Sequence, residues 1–158
     1  HKGLQTNISL NVQPHKAYSA GGKEALINGV QGSDSRYGDK EWLGFWGDDL
    51  EIKVDFLEET EVKMITLRFY DANGQWIYAP EKVNLWIDLV DGRKVATSAL
   101  VDIDTISNIS TLRLIIPNTP KVITKNIRLE ILSYGLIPQG KQGAGNKAWT
   151  FIDEIVIE

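Results

Sequence analysis

Apolar and polar residues alternate with a period of two along most of the chain, and no stretch carries a sustained 3.6-residue stripe. Ile8, Leu10 and Val12 share one face of a strand predicted over residues 6–12. Leu50, Ile52, Val54 and Phe56 alternate with Glu51, Lys53 and Asp55, the pattern of a strand with one buried and one wet face. Residues 62–70 repeat it, with Ile65, Leu67 and Phe69 opposite Met64, Thr66, Arg68 and Tyr70. Further strands are predicted at 83–90, 93–101, 112–116, 127–132 and 149–157. Asp91-Gly92 marks a hairpin between two of them, and Pro117 and Pro120 bracket a turn. About eight antiparallel strands and no good helix predict an all-β fold, a β-sandwich of jelly-roll type. The last strand, with Ile155 and Ile157 between Glu154, Val156 and Glu158, has an edge-like pattern. Trp86, in mid-strand, and Trp149, opening the last strand, are assigned to the core.

The loops carry the remaining aromatics. Residues 17–56 begin as a polar, glycine-punctuated loop of about 25 residues, a length that is usually functional when ordered. Trp42 and Phe45 are expected to plug the sandwich end beneath it. Tyr37, Trp46, Trp76 and Tyr78 stand among glycines and polar residues and are expected at the surface. Exposed rings of this kind suit sugar recognition, the ring stacking on an apolar C–H face while polar neighbours bond the hydroxyls. Arg36, Asp39 and Gln75 are the predicted polar partners. The candidate carbohydrate-binding set is therefore Arg36, Tyr37, Asp39, Trp46, Gln75 and Trp76.

The totals narrow the partners. At 158 residues the chain reads as one domain, 1–158, and its 42% hydrophobic and 24% charged residues are an ordinary globular balance. A net charge of -4 without a basic cluster argues against nucleic acid and anionic membrane surfaces. No apolar run approaches a membrane span, so no membrane insertion is expected. Cysteine is absent, which excludes disulfides and thiolate chemistry. The start, HKGLQTN, lacks methionine, and the chain is expected to be a piece of something larger. Asn7-Ile8-Ser9 and Asn108-Ile109-Ser110 match the short glycosylation tripeptide.

Catalytic constellations do not emerge. The sequence has no Gly-x-Ser-x-Gly elbow, phosphate loop, His-Glu-x-x-His or dinucleotide fingerprint, and both histidines, His1 and His15, lie near the beginning. The acid pairs Asp48-Asp49, Glu58-Glu59, Asp102 with Asp104, and Asp153-Glu154 are the carboxylates available. Glycoside hydrolysis needs two carboxyls facing each other across a cleft, whereas adjacent acids in a regular strand point to opposite faces, and Glu58-Glu59 reads as a solvated turn. No catalytic residue is assigned. A hard cation is a separate matter: Asn28-Gly29 and Gly32-Ser33 offer oxygens in a tight loop and Glu154 a carboxylate. An ordinary Asn-Gly turn and a solvated glutamate account for the same residues.

AYSAGGKEALINGVQGS, WLGFWGDDLEIKVDF, WIYAPEKVNLWIDLVDGRKV and the closing AWTFIDEIVIE together resemble the discoidin-like, family-32-type carbohydrate-binding modules, notably those at the C-terminal end of bacterial β-hexosaminidases (chitobiases). Gly21-Gly22 before Ala25-Leu26, the run from Trp42 to Phe45, and Asp153-Glu154-Ile155 carry the likeness over nearly the whole chain. It implies a galactose-binding-like jelly roll that binds galactose- or N-acetylhexosamine-type sugars through loops at one end. It also implies a non-catalytic role beside a glycoside hydrolase catalytic domain, and a secreted, periplasmic or cell-surface location. A structural calcium is implied at Asn28, Ser33 and Glu154, with asparagine where the family often has aspartate. The rival expectation is a structural or protein-interaction domain that packs on its parent catalytic domain.

Overall fold

Alternating strands must hide one face each, and here they do so as two sheets pressed together. The computed structural model describes residues 1–117 and 119–158, so the turn expected at 117–120 falls partly outside the described residues. Among the described residues nine strands form, with three short 3-10 turns at Lys16–Tyr18, Lys23–Ile27 and Asn73–Gln75. The strands are β1 (Asn7–Leu10), β2 (Leu43–Trp46), β3 (Leu50–Glu61), β4 (Met64–Tyr70) and β5 (Lys82–Leu89). They continue with β6 (Lys94–Leu100), β7 (Ile109–Ile115), β8 (Ile123–Ile131) and β9 (Trp149–Ile157). One sheet runs β1-β3-β8-β5-β6 and the other β2-β9-β4-β7, with every pairing antiparallel. The expected all-β sandwich forms.

Its core lies between the sheets. Ile52, Val54, Leu85, Ile87, Ile127 and Leu129 of the five-stranded sheet are all but inaccessible to water. They belong to the same cluster as Ile65, Leu67, Phe69, Leu112, Leu114, Ile152 and Ile155 of the other. The Asp91-Gly92 hairpin joins β5 to β6 as expected, with Gly92 at positive φ.

Nine strands form where about eight were expected, the short one at Leu43–Trp46 pairing along β9. Three expectations need correction. Glu58 and Glu59 belong to β3, whose register with β8 slips between Asp55 and Thr60, and they do not form a turn. β9 lies inside its sheet between β2 and β4, away from either edge. Trp86 is not core: Val83, Leu85, Ile87 and Leu89 fill that role, and the opposite phase leaves Trp86 half-buried on the outer face.

The pairing of β4 with β9 is irregular at one point. Leu67 pairs with Ile155 and Phe69 with Ile152, so Arg68 alone faces both Asp153 and Glu154. This is a β-bulge, and it suspends the strict alternation that would send the two acids to opposite faces.

Candidate functional site: an aromatic hollow at one end of the sandwich

A chain of rings runs from the core to the surface where β9 begins. Trp42 is buried and meets Tyr70 edge-on, centroids 5.3 Å apart. Tyr70 meets Tyr37 at 5.9 Å, and Tyr37 meets Phe151 at 5.5 Å. Tyr18, held in the short turn Lys16–Tyr18, packs on Phe151 at 4.8 Å and on Trp149 at 5.3 Å. Gly44 permits this closeness, because a Cβ there would sit 2.7 Å from Phe151 Cζ and 2.8 Å from Tyr18 Cβ. The rings enclose a hollow of about 130 Å³ lined by Tyr18, Tyr37, Gln75, Ile77, Trp149 and Phe151.

Polar groups stand at its rim. The Tyr37 hydroxyl donates to Gln75 Oε1 at 3.5 Å. The His15 ring lies 5.2 Å from Trp149, and its Nδ1 accepts from the Ala17 N–H at 3.1 Å. With Nδ1 so engaged, Nε2 is the ring nitrogen that carries a proton. Among the described residues no carboxylate lines the hollow, so what it offers is stacking and hydrogen bonding.

The six predicted sugar residues fall into three pairs. Tyr37 and Gln75 come together in the wall of the hollow. Trp46 and Trp76 flank it, 46% and 40% exposed. Trp46 lies 6.2 Å from Trp149 and donates from Nε1 to the Lys147 carbonyl at 3.1 Å. The Trp76 carbonyl accepts from the Trp149 N–H at 2.8 Å, while its indole covers Gly143, where a Cβ would collide with the ring. Arg36 and Asp39 instead face each other at 3.9 Å, and Asp39 Oδ1 also accepts from the Glu41 N–H.

Sequence reasoning missed Tyr18, Phe151 and Ile77, and it placed Trp149 in the core. Trp149 is half-buried and forms part of the hollow's lining. The signal that could have found it is the alternation of Trp149 with Phe151 at a strand's first residues, beside a loop. Tyr78, expected at the surface, is buried: it stacks on Tyr134 at 4.7 Å and donates to the Gln142 carbonyl.

The long loop is fastened next to this hollow by the bulge. Asp153 Oδ2 accepts from the Gly32 N–H at 2.7 Å and pairs with Arg68, which also reaches Asp34 at 2.8 Å. Glu154 accepts from the Gly29 N–H with both oxygens, at 3.2 and 3.1 Å, and from His1 Nε2 at 2.7 Å. His1 Nδ1 accepts from the Gly3 N–H, which puts the ring proton on Nε2. Burial pushes the Asp153 carboxyl up to about 6 against the pull of Arg68. Burial likewise pushes Glu154 up to about 8, with the neighbouring Asp153 charge adding to it.

These contacts do not fit a bound calcium. A cation at Asn28, Ser33 and Glu154 needs oxygens converging on one point. The groups that meet Glu154 are N–H donors from Gly29 and His1. Asn28 turns its Nδ2 to Glu41 at 2.7 Å and its Oδ1 to the Val30 N–H. The Ser33 carbonyl accepts from Trp42 Nε1 at 2.9 Å. Among the described residues no group of three or more Asp, Glu, His or Cys side chains is gathered to hold a metal.

No protein-family model and no curated protein matches the chain by sequence. Solved structures do match it. The family 32 carbohydrate-binding module of C. perfringens NanJ, solved in complex with galactose, gives a TM-score of 0.61 at 9% identity, covering 99% of this chain and 95% of that one. The module GH31 CBM32-2, bound to GalNAc, gives 0.57 at 17% identity and 97% coverage of both. The lectin domain of lectinolysin, complexed with Lewis B antigen, gives 0.58 at 12% identity, covering 99% and 94%. Likeness at these identities speaks of architecture alone: this chain has the galactose-binding-like β-sandwich fold of family 32 carbohydrate-binding modules and related lectin domains.

Proposed function

We propose that the chain is a non-catalytic glycan-binding domain, and that the hollow floored by Tyr18 and Trp149 is where it takes a sugar. The observation that carries this reading is a half-buried aromatic floor with the hydrogen-bonding groups of Tyr37 and Gln75 in the same lining. An indole or phenol ring stacks on the C–H face of a pyranose, and the rim bonds its hydroxyls. The sugar-bound modules of the same fold support galactose or an N-acetylhexosamine as the class. A shallow seat for one ring implies weak binding: about 12 heavy atoms at about 0.3 kcal/mol each give a Kd on the order of 1 mM or weaker.

Weak sites suit an accessory role. Tethered to a catalytic domain, such a module raises the enzyme's local concentration on its polymer. The sequence resemblance supports a bacterial glycan-degrading parent of the chitobiase type, acting in the periplasm, on the cell surface or in the medium. Calorimetric titration with galactose, N-acetylgalactosamine, N-acetylglucosamine and chitin fragments tests the reading. Saturable binding to one of them, lost in Trp149→Ala while the fold persists, is expected. Silence with all of these and across a broad glycan array would sink it.

A further inference from the structure

Trp76 has a left-handed backbone, φ 62° and ψ 22°, a conformation that favours glycine. Among the described residues only Gln5 and Trp76 hold positive φ without being glycine. A bulky residue keeps such a backbone where its surroundings over-determine it, and such positions gather at ligand sites. Trp76 is held in two ways, through its main chain and through its ring.

The main chain is closed on itself and on β9. Asn73–Gln75 forms a short 3-10 turn, which the Trp76 N–H ends by donating to the Asn73 carbonyl at 3.0 Å. Ala72 and Ile77 exchange two bonds, at 3.0 and 3.2 Å, so residues 72–77 double back. The Trp76 carbonyl accepts from the Trp149 N–H, and the Trp149 carbonyl accepts from the Tyr78 N–H at 3.1 Å. Wall and floor of the hollow are thereby joined through the backbone. The indole lies on Gly143, where a Cβ would stand 2.7 Å from ring Cγ and Nε1 alike. That bed is itself anchored. The Gly143 carbonyl accepts from the Asn146 N–H at 3.0 Å, and the neighbouring Gln142 carbonyl accepts from the Tyr78 hydroxyl at 2.8 Å.

Gln75 and Ile77 line the hollow, and Trp76 between them does not. Ile77 is buried and held by its packing, whereas Gln75 is exposed. Among the described residues the Gln75 amide has one partner, the Tyr37 hydroxyl at 3.5 Å, a long bond that a ligand hydroxyl can replace at little cost. The Gln75 side chain therefore has little of its own to fix it, and its place follows from the backbone that Trp76 holds. We propose that Trp76 is a positioning residue: its indole, bedded on Gly143, sets the Gln75 amide in the wall, and that amide bonds a hydroxyl of the sugar. Trp76 itself does not stack on the ligand, a different part from the stacking surface expected from the sequence. The proposal rests on the hollow being the sugar seat.

Heteronuclear NMR titration with galactose and with N-acetylgalactosamine tests it. At saturation the Trp149 indole N–H should shift strongly and the Trp76 indole N–H much less. Trp76→Ala should weaken binding about three- to tenfold, the worth of one hydrogen bond, and Gln75→Ala should do the same. The double variant should bind no more weakly than Gln75→Ala alone, because the loss passes through Gln75. Trp76→Phe, which keeps a ring on Gly143, should restore most of the affinity. In the free protein, Trp76→Ala should move the Gln75 side-chain amide resonances and speed exchange of the Trp149 main-chain N–H about tenfold or more. Gly143→Ala, which displaces the indole without removing it, should reproduce both effects, and it carries the test if Trp76→Ala does not fold. Single losses that multiply in the double variant, or a Trp76 shift as large as that of Trp149, overturn the proposal. If neither sugar moves Trp149 in the parent, the sugar seat fails. The placing of Gln75 is then decided without ligand, and amide resonances unmoved in both Trp76→Ala and Gly143→Ala overturn it.

Discussion

Replacing Arg68 by methionine should cost about 3–5 kcal/mol of folding stability. Arg68 is 7% exposed and Asp153 fully buried, so the substitution leaves a carboxylate in the interior with the Gly32 N–H and no counter-charge. Asp34, 81% exposed, simply returns to water and adds little. Asp153→Leu errs the other way: the guanidinium keeps Asp34, but the Gly32 N–H loses its acceptor, so a loss of about 3 kcal/mol is again expected. The double variant removes both charges and retains only the orphaned Gly32 N–H, about 1–3 kcal/mol. The two losses must therefore fail to add by several kcal/mol. Urea titrations at pH 7, with the slope checked for constancy, measure all three. At pH 5 the loss in Arg68→Met should shrink, because the Asp153 carboxyl, already pushed up to about 6, takes a proton. A loss below about 1 kcal/mol in the Arg68 variant, or a double variant as unstable as the sum of the singles, would refute the reasoning.

Other outcomes are expected in the same region. Glu154 keeps its proton up to about 8 in the folded chain but releases it near 4.5 when unfolded, so stability declines as pH rises between those values and levels off above. From pH 6 to 8 this amounts to about 2 kcal/mol, or roughly 4–8 °C in melting temperature by circular dichroism, and Glu154→Gln should flatten the slope. Added calcium should move the melting temperature of dialysed protein by less than about 1 °C, and a rise of several degrees would show a cation site where N–H donors now meet Glu154. Gly143→Ala should lower stability by about 1–3 kcal/mol and shift tryptophan emission, since φ is +84° and the new Cβ would collide with Trp76. Unchanged emission would refute that contact.

The strands were readable because each had one face to bury. The β3 alternation from Leu50 to Phe56 and the β5–β6 hairpin at Asp91-Gly92 needed only local rules. Trp86 was misjudged when residue type outweighed phase: its neighbours at 84 and 88 are polar, and the strand's core positions are odd-numbered. Tyr78 was misjudged for another reason, since what buries it is Tyr134, 56 positions away, and no local pattern records that partner. The aromatics around the hollow were legible in part as a set of rings in loops but not as an arrangement. Tyr37 and Gln75 lie 38 residues apart and meet only through the fold. The Arg68 bulge escaped entirely, because a period-two reading assigns Asp153 and Glu154 to opposite faces, whereas one extra residue in β9 directs both carboxylates to the loop at 28–34.

That fastening has a consequence for how the domain can change. The loop is tied to β9 through the main-chain N–H groups of Gly29 and Gly32, which every residue except proline possesses. The acids stay on the rigid strand, while the loop contributes no side chain to those two bonds. Val30, Gln31, Ser35, Arg36 and Gly38 can therefore be exchanged while these two bonds, and with them the loop's attachment to β9, stay in place.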